Sequence, residues 1–371
     1  LFLAAIYDFV MNILRVRTEL SRVGATTWLN RRNGGVVGAR RWERGLAPRR
    51  RSVHVRRMNR RSLLIRAGAA AAAVGGGLWL KDHVLWRRPS VTFGADGTSG
   101  WLRFVAPRTL LPTVRVRLAG RELTALIDSG AQYSVIDRRL VAELGLDDLF
   151  DMPLIAYGVD GRAQMGRGVT LDLAVGEARV GRLRAGILDL GPLGGDEGLG
   201  APLILGQDLL MQAALEMDLR RRRLRLLGEA QARLTPAYRP LPVRRSGTAL
   251  IAEVVVEGAP VKAVVDTGSS SLLALSDAAA QTAGLLDGRP EQSGSSIVLG
   301  GVARTRMIQA RSVALGDEAW RNVATAVYAS RALPNYPEAL LGMEAFADRD
   351  VILDLGDGRL HLAPLMDVTI V

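Results

Sequence analysis

Two stretches of the chain repeat one pattern of apolar and polar positions. "VRVRLAGRELTALID", ending at Asp128, lies over "AEVVVEGAPVKAVVD", ending at Asp266, with an offset of 138 that also superposes Gly120 on Gly258. Each alternates with period two, breaks at the glycine, and resumes as an apolar run that ends in an acid. The pattern predicts a strand, a tight turn and a second strand. Further on, an offset of 136 lays "ILGQDLLMQAALEMDLRRRRLRL" over "LLGMEAFADRDVILDLGDGRLHL" without a gap, and seven of 23 positions are identical, Gly206 with Gly342 and Asp218 with Asp354 among them. An internal repeat of about 120 residues follows. Between these anchors short β-like segments alternate with glycine turns, and only "DRRLVAELGL" and "SDAAAQTAGLL" predict short helices, each stopped near a glycine. The expected class is mainly β.

The chain has 371 residues, room for two compact domains. Its formal charge of +12 suggests an anionic partner until it is divided by region. Residues 1–89 hold 19 Lys or Arg against 4 Asp or Glu; residues 90–371 hold 30 against 33, a net of −3. The basicity belongs to the leader, so no nucleic-acid partner is expected for the folded part. The run Arg220 to Arg223 overlays "GDGR" in the second repeat and is expected to cap a solvated turn. Cysteine is absent, which excludes disulfides and Cys-ligated zinc. Of three histidines only His361 lies beyond the leader, alternating with leucines as an outward strand residue would. No metal or other cofactor is expected.

Residues 58–80, "MNRRSLLIRAGAAAAAVGGGLWL", place paired arginines before a Gly/Ala-rich apolar stretch. This resembles a twin-arginine export signal. From Ala67 to Leu80 run 14 uncharged residues, short of the roughly 20 that span a bilayer. Met58 is the expected biological start, the alternative being an arginine-rich, disordered extension. The expected location is exported, either periplasmic or anchored to the inner membrane through residues 63–80.

The acids themselves carry the candidate chemistry. A lone Asp-Ser-Gly is a common turn. Here Asp128-Ser129-Gly130 and Asp266-Thr267-Gly268 each follow an apolar strand and precede, by 78 and 76 residues, the glycine of "ILG" (Gly206) or "LLG" (Gly342). This doubled pattern, over roughly residues 110 to 365, resembles the aspartic proteases, both the retroviral type and the two-lobed pepsin family. The resemblance implies a bilobal fold, two retropepsin-like β-barrel lobes in one chain forming a pseudo-dimer. It implies an aspartic endopeptidase acting on polypeptide, with Asp128 and Asp266 sharing one proton to activate water.

In that family the hydroxyls, here Ser129 and Thr267, tie the two loops across the lobe interface. Gly130 and Gly268 let N–H groups approach the carboxylates, while Gly206 and Gly342 lie in segments that support the loops. Ala131 and Ser269 follow the two glycines, and a hydroxyl at that position implies an ionised Asp266 and a protonated Asp128. Tyr157, Gly158 and Gly161 match a substrate-covering flap, and residues 298–306 a second one. The chain then divides into a basic extension (1–57), a signal or anchor (58–80), a linker (81–109), lobe 1 (110–230), a linker (231–246) and lobe 2 (247–365). A monomer is expected. Two other readings stay open: a peptide-binding module that does not cut, and repeats that pair only between chains of a homodimer.

Overall fold

The computed structural model describes residues 88–157, 163–232, 238–298, 301–329 and 336–364. The extension over 1–57 and the signal or anchor over 58–80 lie outside the described residues. The first half of the described region runs through β1 (Ser90–Thr92), β2 (Leu102–Arg103), β3 (Thr113–Leu118), β4 (Arg121–Ile127), β5 (Val135–Asp137), β6 (Leu149–Tyr157), β7 (Ala163–Val175), β8 (Ala178–Leu188), β9 (Leu203–Leu205), β10 (Ala214–Asp218) and β11 (Arg223–Leu227). The second half repeats the order: β12 (Arg239–Leu241), β13 (Val243–Ser246), β14 (Ala249–Val256), β15 (Ala259–Val265), β16 (Leu273–Ser276), β17 (Glu291–Val298), β18 (Gly301–Leu315), β19 (Glu318–Tyr328), β20 (Ala339–Leu341), β21 (Asp350–Asp354) and β22 (Arg359–Leu362).

Each half closes a six-stranded barrel. In lobe 1 the ring is β8-β5-β9-β4-β3-β7, with β7 pairing back onto β8; in lobe 2 it is β19-β16-β20-β15-β14-β18, with β18 pairing back onto β19. Closure removes the free edges that a short open sheet would expose. β1 and β6 extend the first barrel sheet and β13 and β17 the second, and the other six strands form a shared sheet, β12-β22-β21-β10-β11-β2, in which β10 of lobe 1 hydrogen-bonds to β21 of lobe 2. The chain is thus mainly β and bilobal, and β3 to β11 correspond in order to β14 to β22.

The local chemistry accounts for the repeats. In β3 the apolar Val114, Val116 and Leu118 are buried and Arg115 and Arg117 exposed, which fixes the inward face. The chain then reverses through Ala119 and Gly120, at φ 49° and 77°, and lobe 2 reverses through Glu257 and Gly258, at 51° and 89°. Two successive left-handed residues make the tight hairpin turn whose twist suits the flanking strands. Both expected helices form. α1 (Arg138–Leu144) begins where the Asp137 carboxylate accepts from Arg139 N at 2.8 Å and ends at Gly145, φ 60°. α2 (Asp277–Thr282) begins at Ser276, whose hydroxyl accepts from Ala279 N at 3.2 Å.

Three expectations need amending. The segment read as a linker over 81–109 contains β1, paired with β8, and β2, paired with β11. The second linker, 231–246, contains β12 and β13, which pair with β22 and β14. Strands of two to four residues are too short to display a period, so alternation could not reveal them. The arginine run does more than cap a turn. Arg222 donates to Ala106 O and stacks over Phe104, and Arg223 stacks over Trp101, so two of the four hold the chain that enters lobe 1.

Candidate active site

The two acids sit at equivalent points of the two barrels. β4 runs parallel to β9 and β15 parallel to β20, and the strand that carries each acid is registered against the strand that carries the supporting glycine. The main chain locks the end of each pair: Asp128 N donates to Leu205 O at 2.9 Å, and Asp266 N to Leu341 O at 2.9 Å. One residue beyond each glycine the contact repeats, with Gln207 N on Ala131 O at 2.9 Å and Met343 N on Ser269 O at 2.8 Å. The loops pass so close that a side chain is excluded. A Cβ on Gly206 would lie 2.7 Å from Ala131 O, and one on Gly342 would lie 2.2 Å from Ser271 O. Both obstacles are backbone and cannot rotate away.

Four buried hydrogen bonds then join the lobes. Ser129 N donates to Thr267 Oγ1 at 2.9 Å, and Thr267 N donates to Ser129 Oγ at 3.0 Å. Ser129 Oγ donates to Val265 O at 2.8 Å, and Thr267 Oγ1 donates to Ile127 O at 2.7 Å. Each hydroxyl donates once and accepts once, so each has its donor used and an acceptor site filled, and both residues are 1% exposed. This cross-bracing brings the acids together. A Cβ on Gly130 would fall 2.5 Å from Asp266 Oδ1, and one on Gly268 would fall 2.6 Å from Asp128 Cγ. The glycine of each loop faces the carboxyl of the other.

The carboxyls differ in their donors. Asp128 Oδ1 accepts from Gly130 N at 2.8 Å and Ala131 N at 3.0 Å, whereas Asp266 Oδ1 accepts from Gly268 N at 2.8 Å. Burial raises both above the ordinary carboxylate range. Asp266 is pushed well above it by burial and by the charge of Asp128 beside it, against the N–H groups of Gly268 and Ser269; Asp128 is raised by burial, against the N–H groups of Gly130 and Ala131. The Ser269 hydroxyl lies 3.3 Å from Ser271 Oγ.

Both flap-matching segments are hairpins. β6 and β7 pair up to Tyr157 opposite Ala163, and β17 and β18 pair up to Val298 opposite Gly301. Gly158 and Gly161 lie outside the described residues. His361 sits on β22 beside Ile352 and Pro240, partly exposed.

Sequence reasoning missed the layer beneath the loops. Asp208 accepts from Ser134 Oγ at 2.7 Å and from Ser134 N at 3.1 Å, and Ser134 Oγ accepts from Gly206 N at 3.0 Å. Burial pushes the Asp208 carboxyl up to about 6. Its counterpart Glu344 accepts from Leu272 N at 3.0 Å. Gln207 has no such counterpart: its Nε2 donates to Ser129 O at 2.7 Å, and its Oε1 accepts from Thr248 of lobe 2. A signal was present, since the overlay sets Asp208 on Glu344, an acid on an acid that differs in length.

The aspartyl protease family model matches this chain twice, over residues 114–209 and 252–345. Together the matches cover just over half of the chain, each spans one barrel with its acid and its supporting glycine, and the chain belongs to that family. No curated protein sequence matches it. Among solved structures it is similar to basic 7S globulin from soybean, at 10% identity and a TM-score of 0.43, over 71% of this chain and 94% of that one. Conglutin gamma, a basic 7S globulin from lupine seeds, gives 12% identity and 0.43 over 74% and 95%. A retropepsin-like aspartic protease from Rickettsia conorii gives 23% identity and 0.27 over 34% and 89%.

Proposed function

We propose that the protein is an aspartic endopeptidase in which Asp128 and Asp266 hydrolyse peptide bonds as one unit. The observation that carries this reading is the bracing of Ser129 and Thr267, which sets one acid from each repeat against the other within a single chain. Asp128, ionised, takes a proton from a water molecule as its oxygen attacks the scissile carbonyl carbon. Asp266, protonated, donates to the carbonyl oxygen. The C–N bond then breaks as the proton held by Asp128 passes to the leaving nitrogen, and Asp266 recovers its own from the gem-diol. No covalent link to the protein forms and no cofactor is needed.

The substrate is a polypeptide. The β6–β7 hairpin, described up to Tyr157, would cover it, Gly158 and Gly161 being the further flap residues expected from the sequence, with the β17–β18 hairpin as a second cover. The twin-arginine-like segment supports an exported protein, periplasmic or held at the inner membrane by residues 63–80. The bracing within one chain favours a monomer. The test is cleavage of a mixed peptide library by the full chain and by Asp128→Asn and Asp266→Asn, each checked for native circular dichroism. Either variant should lose roughly three or more orders of magnitude in rate. A folded wild-type chain that cuts nothing would support a peptide-binding module instead.

A further inference from the structure

The outer end of the shared sheet carries an excess of positive charge that the rest of the catalytic region lacks. β2 is the edge strand, and its Arg103 stands directly opposite Arg223 of β11. Like charges opposed across two strands destabilise the pair unless an anion lies between them. Trp101, 37% exposed, packs beside them, with the Arg223 and Arg225 guanidiniums 4.1 Å and 4.6 Å from its ring centroid. Trp101, Arg103, Arg221 and Arg223 line one pocket of about 460 Å³.

The carboxylates nearby do not balance it. Arg225 is matched by Glu216 at 2.5 Å. Arg221 and Arg223 share a single partner, Asp218, at 3.2 Å and 3.0 Å, and that carboxylate is itself only 2% exposed. Arg103 has no carboxylate partner among the described residues. Three guanidiniums thus line one pocket with Asp218 as their one ion-pair partner among the described residues, Asp350 standing behind it on β21, in a region whose net charge from residue 90 onward is −3.

We propose that this pocket binds a phosphate group. Guanidinium forks match the oxygens of a phosphate in pairs, and a dianion matches the two surplus charges where a carboxylate would leave one over. The Trp101 ring holds Arg223 in place through cation–π contact, so the pocket is preformed. Two sources present this chemistry: soluble phosphate or phosphate ester, and the headgroup of an anionic phospholipid. The site is remote in sequence from both catalytic loops and is independent of the proteolytic reading.

The experiment labels arginines of the full chain with phenylglyoxal at fixed ionic strength and reads each adduct by peptide mass spectrometry. This separates the pocket from the arginines of the leader. Inorganic phosphate at about ten times its Kd should slow labelling of Arg103 and Arg221 roughly tenfold, leaving the exposed Arg115 and Arg117 of β3 unchanged. Protection by phosphate in solution assigns a soluble ligand. Protection by phosphatidylglycerol vesicles alone, absent with phosphatidylcholine vesicles, assigns a headgroup. In Arg103→Gln, protection of Arg221 should fall severalfold. No protection by any of the three, or equal slowing at Arg115 and Arg117, overturns the proposal.

Discussion

Two carboxyls facing each other on a shared floor cannot both ionise at ordinary cost, so the pair is expected to share one proton. Burial raises both Asp128 and Asp266, and the charge of Asp128 pushes Asp266 well above the ordinary range. The single-proton state consequently persists above the ordinary carboxylate range, and the basic limb of the kcat/KM profile should lie there. Ser269→Ala should leave that limb in place, because the hydroxyl is turned toward Ser271. A limb that moves in this variant would mean that the hydroxyl reaches Asp266 after all. The same scale holds a stability effect. Asp208 has a folded pKa of about 6 against an ordinary value of 3.8, so the folded state binds the extra proton between these values. Stability contributed by protonated Asp208 is present below about pH 4 and is lost as pH rises toward 6. Melting curves of wild type and Asp208→Asn should diverge over that window, wild type losing ground, and run parallel above it. Curves parallel throughout would place the titrating proton elsewhere.

At the scale of elements, strand ends are aimed by parallel pairing and then fixed by backbone contacts that tolerate no side chain. Ser129→Ala strands two groups at once, the N–H of Thr267 and the carbonyl of Val265, both buried. Each orphaned group costs about 1–3 kcal/mol. Thr267→Ser keeps every bond and should melt within a few degrees of wild type, whereas Ser129→Ala should melt well below it; equal melting temperatures would show that the bracing contributes little. Much of this layer is visible in the letters alone. The acids, their hydroxyls and glycines, and Gly206 and Gly342 announce themselves by recurring at matched offsets. What does not recur stays hidden. Gln207 aligns with Met343, so its link from Ser129 O to Thr248 breaks the two-fold pattern that exposed the rest. β1, β2, β12 and β13 are too short for a period, and their place is set by distant partners. The raised pKa of the pair depends on burial and on the approach of the two carboxyls, which no residue type encodes.

For the whole molecule, the duplication has been built into one body: two closed barrels, a shared sheet with β10 against β21 at its centre, and a pair of acids contributed one from each half. A complete pair within one chain predicts that activity per chain is unchanged on dilution. Activity per chain that falls in proportion to concentration would mean that the repeats pair between chains. The central claim is that Asp128 and Asp266 act as one hydrolytic unit, and the most direct measurement is kcat/KM on a single cleavable peptide for Asp128→Asn, Asp266→Asn and the double variant. Residues that work as a unit are not additive, so the double variant should be no slower than either single one by more than a few-fold. A double variant slower by the product of the two single losses, or either single variant retaining a tenth of wild-type activity, would contradict the shared pair.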